Sequence, residues 1–193
     1  TALLLAAANG KLETVQWLLA NGASLAEKNN DGATALLLAA ANGQLETMQW
    51  LLANGASLTE RKNDGNTALL LAALNGHVEI MKWLHKVKGV SLTERNKYGN
   101  TALLYAACCG HPLEMVKWLL ENGASIDEKN NSEQTALSMA IKTEVIDFLR
   151  SYRDRTASAS SVSPQLSRGG LFSSLPPVQA GQNNTSRHYT YKP

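Results

Sequence analysis

Apolar and polar positions alternate in blocks along the first 150 residues, and the blocks predict pairs of short helices. In the second block, an apolar and alanine-rich run covers residues 35–42 and is closed by Gly43. A second run, from Leu45 to Leu52, places apolar side chains at the i, i+3 and i+4 spacing of an amphipathic helix. Asn54 and Gly55 then end it, because an Asn-Gly pair favours a left-handed helix end. Each block therefore predicts a turn followed by two antiparallel helices.

The blocks are copies of one another. The tripeptide Thr-Ala-Leu begins each copy, at spacings of 33, 33, 34 and 34 residues, and its threonine is a predicted N-cap. These threonines are Thr1, Thr34, Thr67, Thr101 and Thr135. An aromatic residue recurs in the second helix of each copy, at Trp17, Trp50, Trp83, Trp118 and Phe148. Because one helix pair cannot bury its apolar face alone, we expect the copies to stack.

The shared pattern Gly-x-Thr-Ala-Leu-x-x-Ala-Ala-x-x-Gly-x-x-Glu-x-x-x-x-Leu-Leu-x-x-Gly-Ala closely resembles the ankyrin repeat. The resemblance covers residues 1 to about 150, in five copies of which the first and the last are incomplete or atypical. It implies an all-α solenoid of stacked helix-turn-helix units with turn fingers, followed by a disordered tail. We place the repeats near residues 1–30, 31–63, 64–97, 98–131 and 132–150.

Several departures from the pattern carry their own predictions. The family's Thr-Pro-Leu-His opening is Thr-Ala-Leu-Leu in the first four copies, which exchanges a polar contact for buried apolar area. One extra residue between Leu84 and Gly89 predicts a loosened helix end. Pro112 is expected at the N-terminal end of an outer helix. The last copy is shortened and has Arg150 in place of a leucine, which is typical of a C-terminal capping repeat.

Composition changes at residue 151. Residues 151–193 contain five basic residues and one acidic residue, four of the five prolines, and many serines. The apolar periodicity also ends there, so we predict a disordered, basic, Ser/Pro-rich tail. Contact of this tail with anionic surfaces is an alternative role for it.

Overall charge and cysteine content restrict the class of protein. The net charge of +2 argues against nucleic-acid binding, and no apolar run approaches the ~20 residues of a membrane span. Two adjacent cysteines cannot form a disulfide framework, which favours a reducing compartment, taken here as the cytoplasm. Secretion into a host cell is an alternative that no residue supports. Since the sequence begins at Thr1, inside a motif, we expect it to be a fragment of a longer protein.

We find no motif for catalysis, and we predict no catalytic residue, no metal site and no cofactor. His77 and His111 follow helix-ending glycines, where ankyrin repeats commonly have histidine, so both are expected to be structural. A metal site at Cys108, Cys109 and His111 is disfavoured, because adjacent helical side chains point about 100° apart and zinc sites usually have four ligands. The glutamate at the start of each outer helix is expected to interact with the helix dipole.

The resemblance implies a monomeric module that binds a protein, of unknown identity, through its finger tips and the concave face of its inner helices. An alternative is that the array is the recognition arm of a larger enzyme or effector. We interpret the aromatic row as packing between repeats; the alternative is an exposed strip that binds a ligand. The predicted contact residues are Lys28, Asn30, Asp31, Arg61, Asn63, Asp64, Asn66, Arg95, Lys97, Tyr98, Asn100, Lys129 and Gln134 at the tips, and Asn42, Asn75 and Cys109 at the inner-helix ends.

Overall fold

The computed structural model describes residues 1–161, and this part of the chain forms ten α-helices and no strand. The inner helices are α1 (Ala2–Ala8), α3 (Ala35–Ala41), α5 (Ala68–Leu74), α7 (Ala102–Cys108) and α9 (Ala136–Met139). The outer helices are α2 (Leu12–Ala20), α4 (Leu45–Ala53), α6 (Val78–Lys88), α8 (Leu113–Glu121) and α10 (Thr143–Ser161). The predicted all-α repeat fold is confirmed.

Threonine begins every inner helix. In α3, for example, the Thr34 hydroxyl accepts a hydrogen bond from the Leu37 amide at 3.4 Å, which satisfies one of the free N–H groups of the first turn. Two of these side chains also bond to the loop that leads into the next finger. The Thr34 hydroxyl donates to the Glu60 carboxylate, and the Thr67 hydroxyl donates to Glu94 Oε2 at 2.7 Å. Thr34 and Thr67 thus each fix a helix start and a link toward the next finger.

The core runs through the stack between neighbouring inner helices. Leu37, Leu70 and Leu104 occupy the same place in successive repeats, and all are completely buried. Small alanines beside them, such as Ala39 and Ala72, let the helices approach closely. The outer helices cover this layer from one side and bury fewer of their residues, such as Met48 and Leu51 of α4.

The extra residue before Gly89 lengthens α6 instead of loosening its end, so that prediction is wrong. α6 has 11 residues where α4 has 9, and Gly89 closes it with φ of 68°. His85, Lys86 and Lys88 lie in its last turn, where positive charge is favourable near the helix carboxyl end. His85 Nδ1 also lies 3.0 Å from the Val90 carbonyl oxygen, which stabilises the lengthened end.

The C-terminal helix passes the predicted repeat boundary. α10 continues from Thr143 to Ser161, across residue 150 and into the segment that we expected to be disordered. Hydroxyl groups in this stretch bond to carbonyls of the preceding turn, as when Ser151 Oγ donates to the Phe148 oxygen at 2.8 Å. The remainder of the predicted tail, from residue 162, lies outside the described residues. Pro112 immediately precedes α8, as expected.

Candidate partner-binding surface

Each finger is a tight turn held by one asparagine or aspartate side chain. Asn96 Oδ1 accepts hydrogen bonds from the amides of Tyr98 and Asn100, both at 3.0 Å. Asn29 and Asn130 do the same in their fingers. The third finger has Lys62 at this position, and there Asp64 accepts from the Asn66 amide instead, at 2.9 Å. Backbone hydrogen bonds close the same turns, and in the last finger Lys129 and Thr135 form an isolated antiparallel bridge, so the tips are shaped by local bonds.

Adjacent fingers are joined through their backbones. The amides of Asn63, Lys97 and Asn131 each donate to a carbonyl of the preceding finger, at 2.8, 3.0 and 2.9 Å. The asparagines at 63 and 131 add a second bond, since their side-chain amides donate to Asn30 and Lys97 carbonyls at 2.9 Å. The row of tips is consequently held in one arrangement before any partner binds.

Two arginines reinforce this row. Arg95 Nη1 donates to the carbonyl of Gly99 in its own finger at 2.9 Å and to that of Lys129 in the next finger at 2.6 Å. Arg61 repeats the arrangement one finger earlier, with Gly65 at 3.0 Å and the Arg95 carbonyl at 3.3 Å. Both side chains remain exposed, so each one links fingers while leaving part of its guanidinium group accessible.

The structure places most of the predicted tip residues at the surface. Tyr98 is the most prominent of them, with 61% of its surface exposed. Asp64 and Asn100 are partly covered. The other exposed members of the set are Lys28, Asn30, Asp31, Arg61, Asn63, Arg95, Lys97, Lys129 and Gln134.

Asn66 has to be removed from the predicted set, because it is only 3% exposed. Its Oδ1 accepts hydrogen bonds from Asn96 Nδ2 at 3.1 Å and from the Tyr105 hydroxyl at 3.2 Å. The same Asn96 amide group also lies 2.8 Å from the Tyr105 oxygen. Asn66 thus belongs to a buried polar cluster that connects two fingers to α7 and has no free surface for a partner.

Tyr105 was missed by the sequence reasoning. It replaces the leucine found at Leu38 and Leu71, and its hydroxyl fills the cluster described above. Burial raises its pKa above the usual value for tyrosine. The signal was present in the sequence, since Tyr105 is the one aromatic residue in the otherwise regular inner-helix motif.

At the inner-helix ends, Asn42 and Asn75 are exposed, but their side chains cap their own helices. Their Nδ2 groups donate to the carbonyls four residues earlier, Leu38 at 2.8 Å and Leu71 at 2.9 Å. Cys109 occupies the equivalent position after α7 and is exposed. These ends therefore offer a partner only the parts of each side chain that the cap leaves free.

The aromatic residues of the outer helices differ in how far they are buried. Trp50, Trp83 and Trp118 are partly buried and pack against the core, while Trp17 is 63% exposed. Trp118 meets the His85 ring edge-on with ring centres 5.8 Å apart, and Lys88 lies 5.3 Å from the centre of the Trp83 ring. The packing interpretation fits the three central tryptophans.

The histidines after the helix-ending glycines have structural contacts. His77 Nε2 lies 3.0 Å from the Ala41 carbonyl oxygen, and His111 Nε2 lies 2.9 Å from that of Leu74, so each ring joins its repeat to the previous inner helix. Within the described residues, no three His, Cys, Asp or Glu side chains come together as they would to hold a metal ion. None of the helices in residues 1–161 combines the length and apolar character needed to cross a bilayer.

The array of helix pairs and fingers defines a class of protein, and family models agree with it. A model of three ankyrin repeats matches residues 54–130 and 87–159, and a model of many ankyrin repeats matches residues 3–52. The chain therefore belongs to the ankyrin-repeat family, whose repeats are generally protein–protein interaction modules. No curated protein sequence matches the chain.

Proposed function

We propose that this array is a non-enzymatic module that binds a protein partner through its finger tips and the adjoining inner-helix ends. The proposed contact residues are Lys28, Asn30, Asp31, Arg61, Asn63, Asp64, Arg95, Lys97, Tyr98, Asn100, Lys129 and Gln134 on the fingers, with Asn42, Asn75 and Cys109 at the helix ends. The free thiols of Cys108 and Cys109 support a reducing compartment for this interaction.

The main support for the proposal is that Tyr98 has a fixed backbone and an exposed side chain. Its backbone is fixed on both sides, since its amide donates to Asn96 and its carbonyl accepts from the Asn131 amide at 2.9 Å. Its side chain nevertheless stays 61% exposed, and it follows two cationic residues of the same finger, Arg95 and Lys97. A rigidly held, exposed tyrosine in a finger that also carries an arginine has the composition of a binding hot spot, because little conformational entropy is lost when it is covered.

Site-specific photocrosslinking tests the proposal with a matched control. A benzophenone amino acid at position 98 is compared with the same group at position 17, because Tyr98 and Trp17 are equally exposed, at 61% and 63%. We expect a discrete protein adduct from position 98 in a cell lysate and none from position 17. The recovered protein is then titrated against the full chain, where Tyr98→Ala should weaken binding by about 1–3 kcal/mol, and Trp17→Ala should leave it unchanged.

The opposite pattern would refute the assignment. Adducts at position 17 alone, with Trp17→Ala weakening the recovered partner and Tyr98→Ala having no effect, would place the interface on the outer aromatic row. Thermal melting of both variants serves as the control for folding, since neither side chain is part of the core.

A further inference from the structure

Two cysteines meet at the end of α7. Cys108 is the last residue of the helix, and Cys109 follows it as the C-cap with φ of −89° and ψ of 1°. Side chains of adjacent residues within a helix diverge, which is why the sequence predicts separated thiols. Because Cys109 has already left the helix, the two sulfur atoms instead lie 3.4 Å apart.

The fold does not require either thiol. The equivalent positions hold Ala8 and Asn9 in the first repeat and Ala41 and Asn42 in the second. In those repeats the asparagine amide caps its helix, as in the 2.8 Å bond from Asn42 Nδ2 to the Leu38 carbonyl. Cys109 gives up this cap, and its exposed side chain contacts the neighbouring sulfur instead. The pair is thus a local addition to the repeat pattern that structural need does not explain.

The separation of the two sulfurs suits a bridging atom better than a disulfide. A disulfide bond is about 2.05 Å long and normally joins Cα atoms at least about 4.4 Å apart, whereas adjacent Cα atoms lie about 3.8 Å apart. A thiophilic centre bonded to both sulfurs at about 2.3 Å, the length of a zinc–thiolate bond, holds them roughly 3.5 Å apart. The two free thiols are within hydrogen-bond distance at 3.4 Å, a separation that already equals the one a bridging centre needs, so both sulfurs can bind it without rearrangement of the backbone.

The number of available protein ligands then indicates which metal or metalloid the two thiols can bind. Structural zinc takes four protein ligands, and no third His, Cys, Asp or Glu joins the pair within the described residues. Trivalent arsenic is three-coordinate and soft, and an organoarsenical brings its own third substituent, so two thiols complete its coordination. We propose that Cys108 and Cys109 form a bidentate dithiol site for trivalent arsenic compounds.

The reaction balances without an oxidant. With an arsine oxide, two As–S bonds form, the arsenic–oxygen bond breaks, and the oxygen leaves as water with the two thiol protons. The exposed Cys109 reacts first. Burial, and then the neighbouring Cys109, raise the pKa of Cys108 to about 12, so Cys108 reacts second, in an intramolecular ring closure. Closure of this kind strengthens binding by about 10²–10⁴-fold over a single thiol.

Phenylarsine oxide is the probe, and intact mass spectrometry of the full chain is the measurement. We expect one arsenical per chain, retained in excess glutathione and removed by a 1,2-dithiol. Cys109→Asn and Cys108→Ala are matched controls, because each restores the residue of the first two repeats and should preserve the fold, as circular dichroism can check. Both variants should lose the adduct in glutathione about 10²–10⁴-fold more readily than the unmodified chain.

Two results would overturn the site. If Cys109→Asn holds the arsenical in glutathione as well as the unmodified chain does, a single thiol accounts for binding. If the unmodified chain takes up two arsenicals, one on each sulfur, then the sulfurs do not bridge one centre.

Discussion

Inner and outer helices differ in how much of their surface is covered, although both recur in every repeat. α5 buries six of its seven residues, between the inner helices before and after it, whereas α4 buries three of nine. Both layers repeat, since Ala-Leu begins all five inner helices and a glutamate and an aromatic residue recur in every outer helix. The finger tips vary more between copies, so they are the surfaces that can encode binding.

The largest effect should come from the inner layer. Leu70→Ala removes a completely buried side chain from α5 and leaves a cavity between three inner helices, so we expect it to lower the free energy of unfolding by about 2–5 kcal/mol. Trp50→Ala removes a larger side chain, but one that is only partly buried on α4, and should cost about 1–2 kcal/mol. Urea denaturation of both variants gives the two values. An equal or larger loss for Trp50→Ala would mean that the outer row contributes as much to the stack as the inner one.

Substitution of two glycines by alanine tests how closely adjacent fingers pack against each other. Gly65 has φ of 85°, and an added Cβ would lie 2.9 Å from the Lys97 amide nitrogen of the next finger. Gly89, at the end of α6, has φ of 68° and open space around it. Both substitutions by alanine incur the cost of a left-handed backbone, about 1–2 kcal/mol, but only Gly65→Ala adds a clash with backbone. We expect about 2–3 kcal/mol for Gly65→Ala, about 1 kcal/mol more than for Gly89→Ala, in thermal or urea unfolding. Equal losses would show that adjacent fingers can separate freely.

The contribution of the arginine links between fingers should be smaller. Arg95→Ala removes hydrogen bonds to the carbonyls of Gly99 and Lys129, and we expect a loss of about 1 kcal/mol because the side chain is exposed. Arg95→Lys should not restore it, since an ammonium group lacks the planar fork of donors. Lys97→Ala is the control, with an exposed side chain in the same finger. A loss in Lys97→Ala as large as in Arg95→Ala would show that charge alone stabilises the finger row.

The sequence predicted the repeated parts of the fold well. Spacing of about 33 residues, the threonine caps and the Asn-Gly helix ends gave the ten helices, because each of these signals acts within a few residues of the chain. The failures concern where two helices end, which the repeat pattern does not fix. α6 takes up the extra residue before Gly89 by lengthening, with basic residues in its last turn, and α10 continues past residue 150.

The candidate surface was harder to predict. Asn66 and Asn63 both look like polar turn residues, yet Asn66 is buried by Asn96 and Tyr105, which lie 30 and 39 positions away along the chain. Contacts at that separation depend on how the repeats stack, which no local pattern records. Composition alone could locate the fingers, but only the stacked structure distinguishes tip residues that face outward from those that join two repeats.

The smallest expected effect is a gain in stability at the last finger. Glu133 has φ of 59° and occupies the position of Gly32, Gly65 and Gly99 in the earlier fingers. A side chain costs about 1–2 kcal/mol in this left-handed conformation, and glycine removes that cost while making the unfolded chain more flexible. Glu133 also accepts a hydrogen bond from Lys129 at 2.8 Å, but both groups are exposed, and such pairs contribute little. Glu133→Gly should therefore stabilise the array by about 0.5–1 kcal/mol, as a higher urea midpoint at unchanged slope.

Lys129→Ala separates the two contributions, because it removes the ion pair and leaves the backbone strain in place. If Glu133→Gly lowers the midpoint and Lys129→Ala lowers it equally, the ion pair outweighs the backbone strain, and the last finger is held by its side chains in a way that the earlier fingers are not.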